Sequence, residues 1–201
     1  EARGEYLLFL NNDVEIITES WLEEMLQLCQ QKDVGMAGAK LYYPDDTIQH
    51  AGVVVGLGGV AAHVLCKLPR DAEGYMGRLR CVQEISAVTA ACMMVKTSVF
   101  KAVGGFDEEL KVAFNDIDLC MKVRKYGVKI VFTPYAELYH YESKSRGMED
   151  TPEKQLRFSR EVNCFRRKWE RELLKGDPYY NPNLTLNNTD CSLRKQEKNG
   201  D

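Results

Sequence analysis

No stretch of this 201-residue chain approaches the roughly 18 consecutive apolar residues of a membrane-spanning helix, and no basic-then-apolar signal pattern opens it. Charge of one sign is also lacking: 27 Lys and Arg stand against 30 Asp and Glu, a formal net charge of −3. That balance argues against general nucleic-acid binding and leaves room only for a local basic patch. The seven cysteines are odd in number, scattered, and nowhere form a Cys-x-x-Cys pair. A zinc site and a disulfide framework are therefore set aside in favour of the reduced thiols of a cytoplasmic protein. No internal repeat is visible. What is present is an ordinary globular balance, 44% hydrophobic and 28% charged, in a length of one domain or slightly more. A chain of this size buries a sizeable core without staples.

The apolar pattern predicts alternating strands and helices. Tyr6–Leu10 is a continuous apolar run, the mark of a strand covered on both faces in a parallel sheet. A helix capped by Thr18 follows, carried by Trp21, Leu22, Met25, Leu26 and Cys29 at helical spacing. Strands are expected at residues 35–43, 48–55, 82–95, 128–132 and 136–141, with Pro134 separating the last two. Short helices are expected from Thr97 to the Gly104-Gly105 stop, and from an Asn115 cap to Tyr126 with Gly127 as terminator. Beyond Pro152, residues 156, 162, 165, 169 and 173 mark a long amphipathic helix with a basic opposite face. These patterns divide the chain into an α/β unit over 1–150, a helix over 151–175 and a poorly ordered polar tail over 176–201. The opening itself is unusual, because an interior strand begins within five residues of Glu1, and a longer parent chain is expected.

Three clusters can carry chemistry. Asn11-Asn12-Asp13 falls beyond the carboxyl end of the first strand, where open α/β sheets bind ligands. It reads either as an Asx turn or as a carboxylate ligand for a hard divalent cation that also holds phosphate oxygens. In Asn115-Asp116-Ile117-Asp118 two acids lie in a helix's first turn, as dipole partners or as a general base or metal ligand. In Tyr139-His140-Tyr141-Glu142-Ser143-Lys144-Ser145-Arg146-Gly147, a metal-capable imidazole precedes a small and cationic loop that suits phosphate. His50 and His63 read as structural or surface residues, and Cys92 and Cys120 as packed thiols.

Taken in order, the segments LLFLNND, VTAACMMVKTSVFKAVGGFDE, NDIDLCMKVRKYG and LYHYESKSRG resemble the family 2 glycosyltransferases, in particular the bacterial rhamnosyltransferase-like branch. The resemblance spans residues 1 to about 150. It implies the GT-A fold, a Rossmann-like, mostly parallel sheet flanked by helices, with the family's first nucleotide-binding strands lying outside these residues. It also implies an inverting transfer from a nucleotide-sugar donor to a polysaccharide or lipid-linked saccharide acceptor, with Mn2+ or Mg2+ as cofactor. By the same resemblance Asp13 is the expected metal ligand beside Asn12, and Asp116 the expected general base. Asn115 stands where the family has a glutamate. His140 completes the metal or diphosphate site, Arg146 lies near the diphosphate, and Thr89 faces donor sugar and acceptor. A cytoplasmic enzyme, peripherally associated with the inner face of the membrane and without a nucleic-acid partner, is the expected setting. The chain by itself is expected to be inactive. A sugar-nucleotide nucleotidyltransferase and a non-catalytic carbohydrate-binding module are the competing expectations.

Overall fold

The computed structural model describes residues 2–141 and 151–195. The elements in chain order are β1 (Tyr6–Leu10), β2 (Val14–Ile16), α1 (Trp21–Cys29), β3 (Val34–Tyr42), β4 (Ile48–His50), β5 (Val53–Val55), β6 (Ala61–His63), β7 (Gln83–Glu84), β8 (Cys92–Lys96), α2 (Thr97–Ala102), α3 (Asn115–Tyr126), β9 (Lys129–His140), α4 (Pro152–Lys168) and α5 (Glu170–Lys175). The main sheet runs β1-β8-β3-β9-β2, with β4 added to β3 and β7 to β9, while β5 and β6 form a separate two-stranded sheet. All nine residues of β3 are buried, as suits the centre of a sheet covered on both faces. Its alternate side chains feed two cores. Ala37, Ala39 and Leu41 meet Trp21, Met25, Leu28 and Cys29 of α1. Met36 and Tyr42 join the larger core with Phe132, Ile117, Cys120, Phe165 and Trp169. The two-residue period of the strand thus separates one sequence run into two packing layers.

The α/β class holds, but the hydrogen-bonded pairing differs from the expected mostly parallel sheet. β1, β3 and β9 share one direction, yet only β3 and β9 pair in parallel, because β8 lies antiparallel between β1 and β3. β1 is not covered on both faces as its apolar run suggests: among the described residues it is the edge strand, with Leu8 and Leu10 exposed. Parallel return needs a crossover of a dozen or more residues, usually helical. Between β3 and β8 the described elements are strands and short 3-10 turns, and β8 returns antiparallel to β3. The run 82–95 is accordingly divided: Gln83–Glu84 pairs with β9, and only Cys92–Lys96 joins the sheet centre.

Pro134 does not end a strand. β9 continues through it to His140, and the pairing with β3 slips from Gly38↔Phe132 to Lys40↔Glu137. Such an irregularity is where a sheet tolerates a residue without an N–H. Asn115 is the first helical residue of α3 rather than its cap. The cap is Phe114, held at φ 62°. Thr18 does not cap α1, because its hydroxyl accepts the Glu137 N–H instead at 3.3 Å. The long C-terminal helix breaks at Trp169, where the backbone leaves helical geometry. Finally, residues 176–195 are packed rather than loose. Tyr180, Leu184 and Cys191 are buried in the larger core, so a few apolar residues among many polar ones suffice to anchor the segment.

Candidate active site

The site grows from the junction of β1, β2 and the end of β9. As β1 ends, the Asn11 N–H donates to the Ala91 carbonyl at 3.0 Å, and the Asn12-Asp13 turn leads straight into β2. Val14 pairs with His140, and the Tyr141 N–H donates to the Asp13 carbonyl at 2.8 Å. Antiparallel pairing therefore sets Asp13 beside His140, although 126 positions separate Val14 from His140 (140 − 14). Asp13 Oδ1 lies 3.3 Å from His140 Nε2, and Asn11 Nδ2 lies 3.0 Å from the same nitrogen.

The proton on His140 is assigned from its partners. Gln49 on β4 donates through Nε2 to the His140 carbonyl at 3.2 Å, which leaves its Oε1 to accept from His140 Nδ1 at 2.7 Å. In the neutral ring Nε2 then accepts from Asn11 Nδ2 and faces the Asp13 carboxylate. An imidazole nitrogen with a carboxylate oxygen is a donor set that divalent transition metals accept. Among the described residues no group of three or more His, Cys, Asp or Glu side chains could hold a metal. Asp13 and His140 can supply two ligands.

Gln49 escaped the sequence reading. Its only signal is a polar residue beside Ile48 and His50 in a short strand. His50, next to it, is fully buried, and its Nδ1 lies 2.9 Å from His63 Nδ1. Burial first, then the neighbouring His63 and His140, holds the His50 pKa well below the usual imidazole value. It is a neutral packing residue, as expected. The thiols agree with expectation as well: Cys92 and Cys120 are fully buried, and burial pushes the Cys92 pKa up to about 12 and raises that of Cys120, which leaves both un-ionised.

Asp116 stands one step from this junction. Its Oδ2 accepts the Ala90 N–H at 3.1 Å and its Oδ1 the Ile117 N–H at 2.8 Å. Ala90 is adjacent to Ala91, whose carbonyl holds Asn11, so one short backbone segment ties the first turn of α3 to the end of β1. Thr89 belongs to that segment and turns its hydroxyl to the Ala91 N–H at 3.4 Å. Asp116 is half-buried and a carboxylate offers about four acceptor sites, so capacity remains beyond the two backbone bonds. Asn115 accepts the Asp116 N–H at 2.7 Å. Asn12 is exposed on the turn.

Asp118 has a different setting. It is 0% exposed and is gripped by Lys122 Nζ at 3.1 Å, Lys168 Nζ at 2.7 Å and Trp169 Nε1 at 2.8 Å. The structure thus brings Asp13, His140, Asp116 and Thr89 to neighbouring segments at one end of the sheet, and withdraws Asp118 into the core. Arg146 lies outside the described residues. Two clefts, of about 450 and 570 Å3, lie elsewhere, around Arg124 and Tyr179 and around Arg70 and Asp46. Among the described residues no helix is long and apolar enough to cross a membrane.

Residues 1–161 match the family described as glycosyltransferase-like. The chain is 56% identical over 194 residues to the uncharacterized protein y4gI of Sinorhizobium fredii, covering 96% of this chain and 21% of that protein. It is 41% identical over 202 residues to the O-antigen biosynthesis protein RfbC of Myxococcus xanthus, covering 100% of this chain and 16% of RfbC. It therefore spans about a fifth or less of the length of these relatives. Among solved structures, the mannosyltransferase PcManGT of Pyrobaculum calidifontis, in complex with GDP-Man and Mn2+, superposes with a TM-score of 0.53 at 15% identity. That alignment covers 85% of this chain and 40% of PcManGT.

Proposed function

This chain belongs to the glycosyltransferase-like family, and from that premise we propose that it carries the reacting centre of an inverting glycosyltransferase. The donor is a nucleotide sugar and the acceptor a saccharide or lipid-linked saccharide hydroxyl. The observation that supports this best is the linkage of the Asp13–His140 pair to Asp116 through residues 90 and 91. An acceptor hydroxyl is a poor nucleophile near neutral pH and needs a positioned base. Asp116 takes that proton as the hydroxyl oxygen bonds to the anomeric carbon and the bond to the diphosphate oxygen breaks. Attack from the face opposite the leaving group inverts the anomeric centre. Asp13 and His140 Nε2 hold the donor end, with Asn12 and Thr89 beside it and Arg146 assigned to the diphosphate by family resemblance. When bound to Asp13 and His140, a divalent cation, Mn2+ or Mg2+, supplies charge neutralisation to the leaving diphosphate. In this reading residues 1–150 carry the chemistry, and a lipid-linked acceptor would draw the protein to the inner, cytoplasmic face of the membrane as a peripheral partner.

The test is donor hydrolysis and sugar transfer by the protein in its full natural length, with a panel of UDP-, GDP- and dTDP-sugars, with and without Mn2+. The expected result is turnover that requires the cation and falls about 10²-fold or more in Asp116→Asn, the scale of a lost general base. Pyrophosphate exchange in place of sugar release would mark a nucleotidyltransferase, and saccharide binding without turnover a non-catalytic module. Either would overturn the proposal.

A further inference from the structure

α3 begins without the usual help. Its cap residue is Phe114, in a left-handed conformation with φ 62°, whose own side chain offers no acceptor to the first turn. Bulky residues adopt that region only when their surroundings hold them there. The hold comes from α4. The Glu161 carboxylate is 3% exposed and accepts three consecutive backbone N–H groups, Lys111 and Val112 on Oε1 at 3.1 Å each and Ala113 on Oε2 at 2.9 Å. Immediately after these comes Phe114, whose ring packs on Phe158 and Phe165 of α4 at centroid distances of 5.8 and 5.4 Å. One helical face thus carries Phe158, Glu161, Phe165 and Lys168, at the i, i+3, i+7 and i+10 spacing of a single stripe. Its lower end, Lys168, joins Trp169 in gripping Asp118 from behind.

We propose that Glu161 is a positioning residue: by fixing the 111–113 backbone it sets the first turn of α3, and with it Asp116, in the geometry that proton transfer needs. The inference rests on the reading of Asp116 as the base. A buried carboxylate is costly unless its oxygens are satisfied, and here all its described hydrogen bonds go to the loop that delivers α3. Asp116 in turn holds the Ala90 N–H, so a loosened α3 start also loosens the segment between Thr89 and Asn11. Displacement by about 1 Å from a distant change is enough to lower turnover about 10²-fold when the reacting group is what moves.

The experiment compares Glu161→Gln and Glu161→Ala with the parent protein by amide hydrogen exchange and by steady-state kinetics, using whichever nucleotide sugar of the panel turns over fastest with Mn2+. Gln keeps the side chain's shape but turns an amide NH2 toward at least one of the three donors, and Ala removes all three acceptor contacts. Exchange at residues 111–113, and at Ala90 and Ile117, is expected to quicken about 10-fold in the Ala variant and less in the Gln variant. kcat is expected to fall in the order parent, Gln, Ala, by about 10-fold or more for Ala, with donor KM within about twofold. Should the Ala variant fail to fold, the Gln variant decides alone. Unchanged kcat in a folded variant whose 111–113 amides have opened would overturn the proposal while leaving Asp116 as base. Unchanged exchange would overturn it too. An Asp116→Asn enzyme of full activity would remove the reading on which it rests.

Discussion

Two aspartates two positions apart on α3 show how position alone separates a reactive carboxylate from a structural one. Asp116 and Asp118 were equal candidates in the sequence, both in the first turn of a helix, and family resemblance alone favoured the first. Burial distinguishes them physically, since Asp118 is sealed between two lysines and an indole N–H while Asp116 is half-exposed. Asp118→Asn is expected to destabilise the fold by about 3 kcal/mol, because removing one member of a buried charge cluster strands the others. Urea unfolding checks this, and a stability within 0.5 kcal/mol of the parent, roughly the scatter of harmless surface changes, would count against it. A second expectation concerns pH. The His50 pKa is depressed in the folded state, so the unfolded chain binds the extra proton first as pH falls. Stability from this residue is complete above the unfolded imidazole value of about 6.5 and is lost as pH drops below it toward the folded value. Between pH 6.5 and 5.5 the loss is at most about 1.4 kcal/mol, one pKa unit's worth. His50→Gln should flatten that slope, and a parent whose stability is flat from pH 7.5 to 5.5 would contradict it.

At the scale of the element, legibility tracked local information. Apolar runs and glycine stops located β1, β3, α2 and the end of α3, because those signals sit within the element itself. Strand direction and the course of β9 through Pro134 were not legible, since both are decided by pairing with β3, a partner far away in sequence. Likewise the Asp13–His140 contact comes from β2 meeting β9, and the family's motif order stood in for a geometry no local pattern encodes. Gly38 shows the same dependence. A Cβ built there would lie 2.3 Å from Val88 Cγ1 and 2.5 Å from Val88 Cβ, a contact made by the segment that goes on to Thr89, Ala90 and Ala91. Gly38→Ala is therefore expected to cost about 1 to 3 kcal/mol through overpacking. It should also shift the Ala90 and Ile117 amide resonances, the two groups that hold Asp116. A neutral substitution with unmoved resonances would show that Val88 yields freely.

For the whole molecule, the least expected feature is the work done by residues 176–195, whose polar composition reads as a loose end. The reason lies in the small second sheet. β5 and β6 pair only with each other as strands, and an isolated two-stranded sheet is marginal in water. The C-terminal segment ties it down. Asp177 accepts the Val55 N–H at 2.8 Å, Leu186 accepts the Gly58 N–H at 2.8 Å, and Thr189 accepts the Leu65 N–H at 2.6 Å. Tyr180, Leu184 and Cys191 add buried contact to the same core. Ending the chain after Lys175 exposes those side chains' partners and leaves three backbone donors without their acceptors. Two large side chains at about 1.5 to 3 kcal/mol each, with an unsatisfied donor at about 1 kcal/mol or more, predict a loss of at least about 4 kcal/mol. That is comparable with the whole stability of an ordinary domain. The shortened protein should therefore unfold at a much lower urea concentration, with rapid amide exchange in residues 53–65, while the sheet centre around β3 stays protected longest. His50 and Gln49 lie on β4, immediately before that second sheet, so the loss should reach the His140 ring through the Gln49 Oε1 contact. An unfolding midpoint equal to that of the full 201-residue chain would show that the second sheet stands without its cover.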